Sequence, residues 1–186
     1  MEGDKLINNI KQMKNEFYAK QGKNMFFKSK QKLELATSVA NSMNLEDLMQ
    51  RTIFVIKDTN KVFMDYTIFK SYANPENYQT IAKYILFLLS YCVDNFDSFE
   101  IHINLDTFSV SACHRYQAVI ETYLNECLKH ETPFTDKLIK MCIYNTPSVF
   151  DTIHKMLTPF IHEKVSKKIE FYNKTESQST LAHLFV

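Results

Sequence analysis

The sequence has almost no glycine. Only Gly3 and Gly22 occur, both near the N-terminus. A backbone that crowds a phosphate needs glycine where a Cβ would collide, and from residue 23 onward there is none. No G-x-G-x-x-G, phosphate-binding P-loop or G-x-S-x-G motif is present, which excludes the usual nucleotide enzymes and the nucleophile-elbow hydrolases. Arginine is nearly as scarce. Arg51 and Arg115 are the only two, and neither lies six residues after a cysteine, so no Cys-x5-Arg phosphate loop exists. Long apolar runs are missing too. The longest, Tyr84–Val93, is about half of the roughly 18 residues a membrane span needs and reads as a buried helix. The first residues hold no hydrophobic signal core, so no secretion is expected and the sequon Asn173-Lys174-Thr175 is expected to stay unused. The last residues carry no prenylation motif.

Metal and redox chemistry lack their signatures as well. Six histidines stand at 102, 114, 130, 154, 162 and 183, without H-E-x-x-H or finger spacing to cysteine. Cys92, Cys113, Cys127 and Cys142 make no C-x-x-C pair and sit in apolar stretches. That is the usage of a reducing, cytoplasmic compartment. A net charge of +1 gives no global nucleic-acid signature. No catalytic residue, metal site or cofactor is expected, and no nucleic-acid partner.

What is present is a core-forming composition: 45% hydrophobic and 23% charged. Lysine outnumbers arginine 20 to 2. Phe, Tyr, Ile, Asn and Lys, the residues of A/T-rich codons, are abundant where Gly, Ala, Arg and Pro are few. The source is therefore an A/T-rich genome, which admits a eukaryotic virus and a place in the virion.

The periodicity divides the chain into a helical arm, 1–50, and an α/β domain, 51–186. Leu6, Ile7, Ile10, Met13 and Phe17 predict an amphipathic helix over 5–20, which Gly22 breaks. A second helix is expected over 29–50. The run TIFVIKDTNKVFMDYT then reads strand, turn, strand, with Asp58-Thr59-Asn60 as the turn. Asn74 and Pro75 predict a helix start at N-cap and N1, running to about residue 94. SFEIHINLD is the next strand, with Phe99, Ile101, Ile103 and Leu105 on one face and Glu100, His102 and Asn104 on the other. His102 and Asn104 mark a satisfied structural pair, a strand half exposed at its end, or the polar lining of a ligand cavity. A helix over 111–130, the strand KLIKMCIYN, a helix from Pro147 and the strand KKIEFY follow. This alternation predicts α/β architecture: a mixed β-sheet with helical crossovers and mostly parallel later strands, preceded by the helical arm. Phe150 and Phe160 are expected to be buried anchors of the last crossover.

That last crossover carries a resemblance. Asn145, Pro147, Phe150, Pro159, Phe160, Lys168 and Ile169 resemble in order and spacing the pattern of the CRAL-TRIO lipid-binding domain family. Upstream, HINLDTFSVS resembles the family's strand followed by Asp-x-x-Gly-x-Ser. Ser109 agrees, while Asn104 stands where Asp is usual and Thr107 where Gly is usual. The resemblance implies a non-enzymatic module whose sheet floors a cavity for one lipid or other apolar small molecule. The pocket candidates are then Ile101, Ile103, Leu105, Phe108, Met141, Ile143, Phe150 and Ile153. Lys164, Lys167 and Lys168, with the lysine-rich arm, would supply peripheral contact to an anionic membrane. The alternative is a degenerate fold whose own side chains fill the cavity, acting as a structural or adaptor component that binds other proteins, for instance in a virus particle. Working members of the family have a gate helix and a further segment after the last strand, where only Asn173–Val186 remain.

Overall fold

The computed structural model describes residues 2–127 and 134–185. Helix α1 (Glu2–Gln21) ends where Gly22 takes φ +68° and its N–H donates to Tyr18 O at 2.9 Å. This left-handed stop is open to glycine without steric cost. The helix expected over 29–50 is two helices, α2 (Lys28–Ser42) and α3 (Leu45–Thr52). Met43 is extended, and the Asn44 side chain accepts the Asp47 N–H at 3.1 Å as an N-cap. Glu46 and Asp47 then sit in the first turn, where the helix dipole favours them.

The hairpin stands as expected. Strands β1 (Ile53–Val55) and β2 (Lys61–Asp65) pair antiparallel, with Asp58 left-handed in the turn. A single-turn helix α4 (Tyr66–Phe69), capped by Asp65, follows. Helix α5 (Tyr78–Phe96) begins three residues later than Pro75 suggests. Asn74 and Asn77 are buried instead in the turn before it. Both amides donate to Tyr72 O, at 3.0 and 2.9 Å, and Asn77 Oδ1 accepts the Asn74 N–H at 3.0 Å. Their side chains satisfy the turn's backbone rather than a helix end.

Strand β3 (Phe99–Asn104) leads to α6 (Val110–Cys127); the remainder of the helix expected to residue 130 lies outside the described residues. After the single-turn α7 (Phe134–Lys137) comes β4 (Leu138–Tyr144). Helix α8 (Phe150–Leu157) starts at Phe150 and not at Pro147, whose carbonyl accepts the Phe150 N–H at 2.9 Å in the preceding turn. A 3-10 turn over Thr158–Phe160 holds Pro159 and ends the helix. The short helix α9 (Glu163–Ser166), capped by His162, was not expected. Strand β5 (Ile169–Phe171) and helix α10 (Lys174–Leu184) complete the chain. Asn173 opens α10 with a capping box closed by Glu176.

Among the described residues, five strands form the sheet in sequence order. β1 and β2 are antiparallel, and β2 through β5 are parallel. The register sorts the side chains into two faces. Ile53, Val62, Phe99 and Leu138 enter the main core with Ile81 and Leu89 of α5 and Tyr116 and Val119 of α6. One face thus packs against the crossover helices, as α/β layering requires. The other carries Phe54, Phe63, His102, Cys142 and Tyr144. It receives α10, and Phe185 sets its ring 5.0 Å from that of Phe63.

Candidate functional site

On the helix side of the sheet, Ile101 pairs with Met141 and Ile103 with Ile143 across β3 and β4. Four apolar side chains thus form a block on two neighbouring strands. Alternation dictates this, because residues two apart share a face. Leu105 and Phe108 follow β3, where Phe108 meets the Tyr66 ring edge-on at 4.8 Å. Phe150, at the start of α8, packs on Phe171 with centroids 4.3 Å apart, and Phe171 neighbours Ile143 in register. Ile153, on the same helix, has no exposed surface.

The block is not sealed. Ile101, Ile103, Leu105, Phe108, Met141 and Phe150 are only half-buried, as are Ile120, Tyr123 and Leu124 of α6 and Met156 and Leu157 of α8. Ile143 and Ile153 are buried, yet both stand outside the main core. Phe150 and Phe160 are half-buried, not fully buried anchors, because α8 joins the sheet at its margin over the short strand β5. Two clefts lie elsewhere. One, of about 440 Å³, runs between Val55–Thr59 and Phe87, Leu88, Tyr91 and Phe96. The other, of about 200 Å³, lies between α1 and the α2–α3 corner. Neither is lined by a pocket candidate.

The opposite face carries a polar network in place of the cavity lining that His102 and Asn104 could have formed. His102 Nδ1 meets Tyr144 Oη at 2.9 Å, and Nε2 meets Glu100 Oε2 at 3.1 Å. Burial lowers the His102 pKa, outweighing the attraction of Glu100. Tyr144 stacks on Tyr172, whose hydroxyl donates to Glu170 Oε2 at 2.7 Å. That hydrogen bond is the main cause of the lowered Glu170 pKa. Asn104 Oδ1 accepts from Asn145 Nδ2 and from the Asp106 N–H. These groups satisfy each other, as buried polar atoms must.

The remaining motif residues have structural partners. Asn145 is left-handed at φ +53°, and its N–H donates to Ser177 Oγ at 2.7 Å. Lys168 Nζ donates to the carbonyls of Thr135 and Leu138, tying β5's entry to β4's, and Ile169 pairs with Met141. Lys164 bonds Asp136 at 2.8 Å and Lys167 bonds Glu163 at 2.7 Å. Each of the three lysines proposed for a membrane surface thus has a partner within the protein. Sequence reasoning missed Ser177, and it missed that Thr107, in the motif's glycine place, takes φ +65°. The glycine of the pattern was the available signal, since it marks a backbone conformation and not a contact.

Burial pushes the Cys92 thiol up to about 11 and raises those of Cys113, Cys127 and Cys142. All four are free, and none is an activated nucleophile. Among the described residues no group of three His, Cys, Asp or Glu could hold a metal ion, and no helix is long and apolar enough to cross a membrane. Chemically, the site can offer an apolar floor and little else.

A family model described as the CRAL/TRIO domain matches residues 37–185, from the middle of α2 through α10. No curated protein matches the chain.

Proposed function

This chain belongs to the CRAL/TRIO domain family, whose members are in general lipid-binding modules and not enzymes, and we propose that it holds one lipid or other apolar small molecule on the β3–β4 floor. The observation that carries this reading is the half-buried trio Ile101, Ile103 and Met141 beside the buried Ile143, with Ile153 buried on α8 outside the main core. Half-buried apolar surface beside a well-packed core is where an apolar ligand gains most from leaving water. Leu105, Phe108 and Phe150 would bound the ligand's ends. In that reading residues 51–186 form the binding unit and 1–50 the preceding arm, whose Val39, Leu48 and Met49 enter the unit's core. Four free cysteines fit a reducing compartment, so we place the protein in the cytoplasm, or in the virion if the source is a virus.

Native mass spectrometry of the purified full chain tests the reading. The expected spectrum shows the protein with one lipid-sized adduct that organic extraction removes. Bare protein, together with failure to take up a fluorescent lipid from vesicles, would overturn it.

A second reading, an adaptor that binds another protein, draws on the cleft beside α5. Phe87 and Tyr91 stand exposed there next to the edge strand β1. An edge strand with apolar neighbours suits an added strand from a partner chain. An extended peptide that shifts the backbone amide resonances of 53–58 would favour this reading, and shifts confined to α8 and β4 would count against it.

A further inference from the structure

The α1–α2 loop presents three consecutive large apolar residues to solvent. Met25 is 70% exposed, Phe26 93% and Phe27 65%. Isolated apolar residues on a surface need no explanation, but a contiguous protruding run does. The loop is also built to keep that shape. Asn24 Oδ1 accepts the N–H groups of Phe26 and Phe27 at 2.9 and 2.8 Å. Gln31, which is buried, donates Nε2–H to Gly22 O at 2.7 Å and accepts the Asn24 N–H at 2.9 Å. A buried amide thus uses both its ends to hold a loop whose apolar side chains point away from the protein.

Charge surrounds this tip. From residue 5 to residue 33 the chain has eight lysines and one acid, Glu16, and Glu16 accepts from Gln12. Lys20, Lys23, Lys28 and Lys30 flank the tip directly. Behind it, Lys14 of α1, Lys28 and Lys32 of α2, Lys70 after α4 and Arg115 of α6 stand close enough to repel one another. Burial lowers the pKa of Lys32, and Arg115, Lys14 and Lys28 lower it further. Arg115 Nε donates to Ser29 Oγ at 3.0 Å, which fixes this cluster to the loop's exit. Asp65 and Asp106 offset this repulsion at Lys70, and Glu34 lies 4.0 Å from Lys30.

We propose that this loop is a membrane anchor, in which Met25, Phe26 and Phe27 enter the headgroup–acyl boundary of an anionic bilayer while the surrounding lysines meet lipid phosphates. An apolar tip ringed by cations matches both layers of such an interface. Three side chains that protrude without a groove of their own suit a fluid medium better than a shaped protein partner. Lysine's mobile point charge can meet dispersed headgroups without a fixed geometry. The tip lies outside the 37–185 segment that matches the family model, so it is a property of the arm and does not rest on the cavity reading.

The sequence contains no tryptophan, so Phe26→Trp places the protein's one tryptophan at the tip, excited selectively over its tyrosines. Phosphatidylcholine vesicles containing phosphatidylserine should shift its emission to the blue, and brominated acyl chains should quench it. Phosphatidylcholine alone should do neither. In vesicle sedimentation of the full chain, M25S/F26S/F27S and, separately, K23A/K28A/K30A should each weaken binding by about tenfold or more. Both should leave the melting temperature unchanged, because the substituted side chains are exposed. No blue shift with either vesicle, or undiminished sedimentation of the serine variant, would overturn the proposal. So would a lipid-free wild-type dimer that the serine variant dissolves, which would assign the tip to a second copy, or a blue shift with single-stranded RNA and none with vesicles.

Discussion

Asn145 Nδ2 donates to Asn104 Oδ1 at 2.8 Å, joining the C-terminal ends of β4 and β3. The bond is possible because Asn145 turns left-handed, at φ +53°, a conformation that asparagine tolerates better than other residues with a Cβ. Two effects are therefore separable at this position. Asn145→Gly keeps the backbone and loses the bridge, at an expected cost of about 1 kcal/mol. Asn145→Ala loses both, at about 2–3 kcal/mol. Urea melts of the two variants should differ in that order, and equal losses would show that the backbone is indifferent.

Thr107→Gly should stabilise the protein. A β-branched residue at φ +65° bears a left-handed strain of about 1–2 kcal/mol, partly offset in glycine by a more flexible unfolded chain. The Lys70–Thr107 contact is exposed and contributes little. A gain of about 0.5–1 kcal/mol in a denaturant melt is expected, and a loss would show that the hydroxyl's contacts outweigh the strain.

Ile153→Ala should cost more than Phe150→Ala. Ile153 is fully enclosed, whereas Phe150 is half-buried against the exposed Phe171. Expected losses are about 2–4 kcal/mol for Ile153 and about 1–2 kcal/mol for Phe150. A reversed order would place the anchor of α8 at its start.

Stability should fall as pH drops below about 6.5. Burial depresses the His102 pKa from its ordinary value of 6.5, so the unfolded state takes up the proton first. Stability is full above the unfolded pKa and is lost as pH falls toward the folded one. Glu100, Tyr144, Lys140 and Lys61 are the groups around it. Glu170, its pKa lowered chiefly by Tyr172, adds a loss of the same sign at lower pH. His102→Gln should flatten the midpoint against pH in the upper part of this range, and an unchanged slope would assign the effect to carboxylates alone.

The sheet was legible because period-2 alternation over 53–65, 99–105 and 138–144 leaves one way to bury the apolar side. The faces of β3, including the paired Ile101 and Ile103, follow from it. Helix starts were less legible. Pro75 and Pro147 are both compatible with a first turn, but buried asparagines hold one turn and Pro147's own carbonyl closes the other. The floor of the candidate site could be read from the strands. Whether it is sealed could not, since half-burial at Ile101 or Met141 depends on where α8 settles, which no local pattern encodes. Lys164 looked free for the same reason: Asp136, distant in sequence, meets it only after folding, as the carbonyls of Thr135 and Leu138 meet Lys168.

The Phe54–Phe63–Phe185 contact orders events during synthesis. The hairpin that opens the sheet emerges early, and its outward rings stay wet until the residues of α10 follow. Contacts so far apart along the chain close late. During synthesis the Phe54 and Phe63 rings therefore wait longest for their cover, and a chaperone that shields aromatic surface has its longest opportunity on that hairpin.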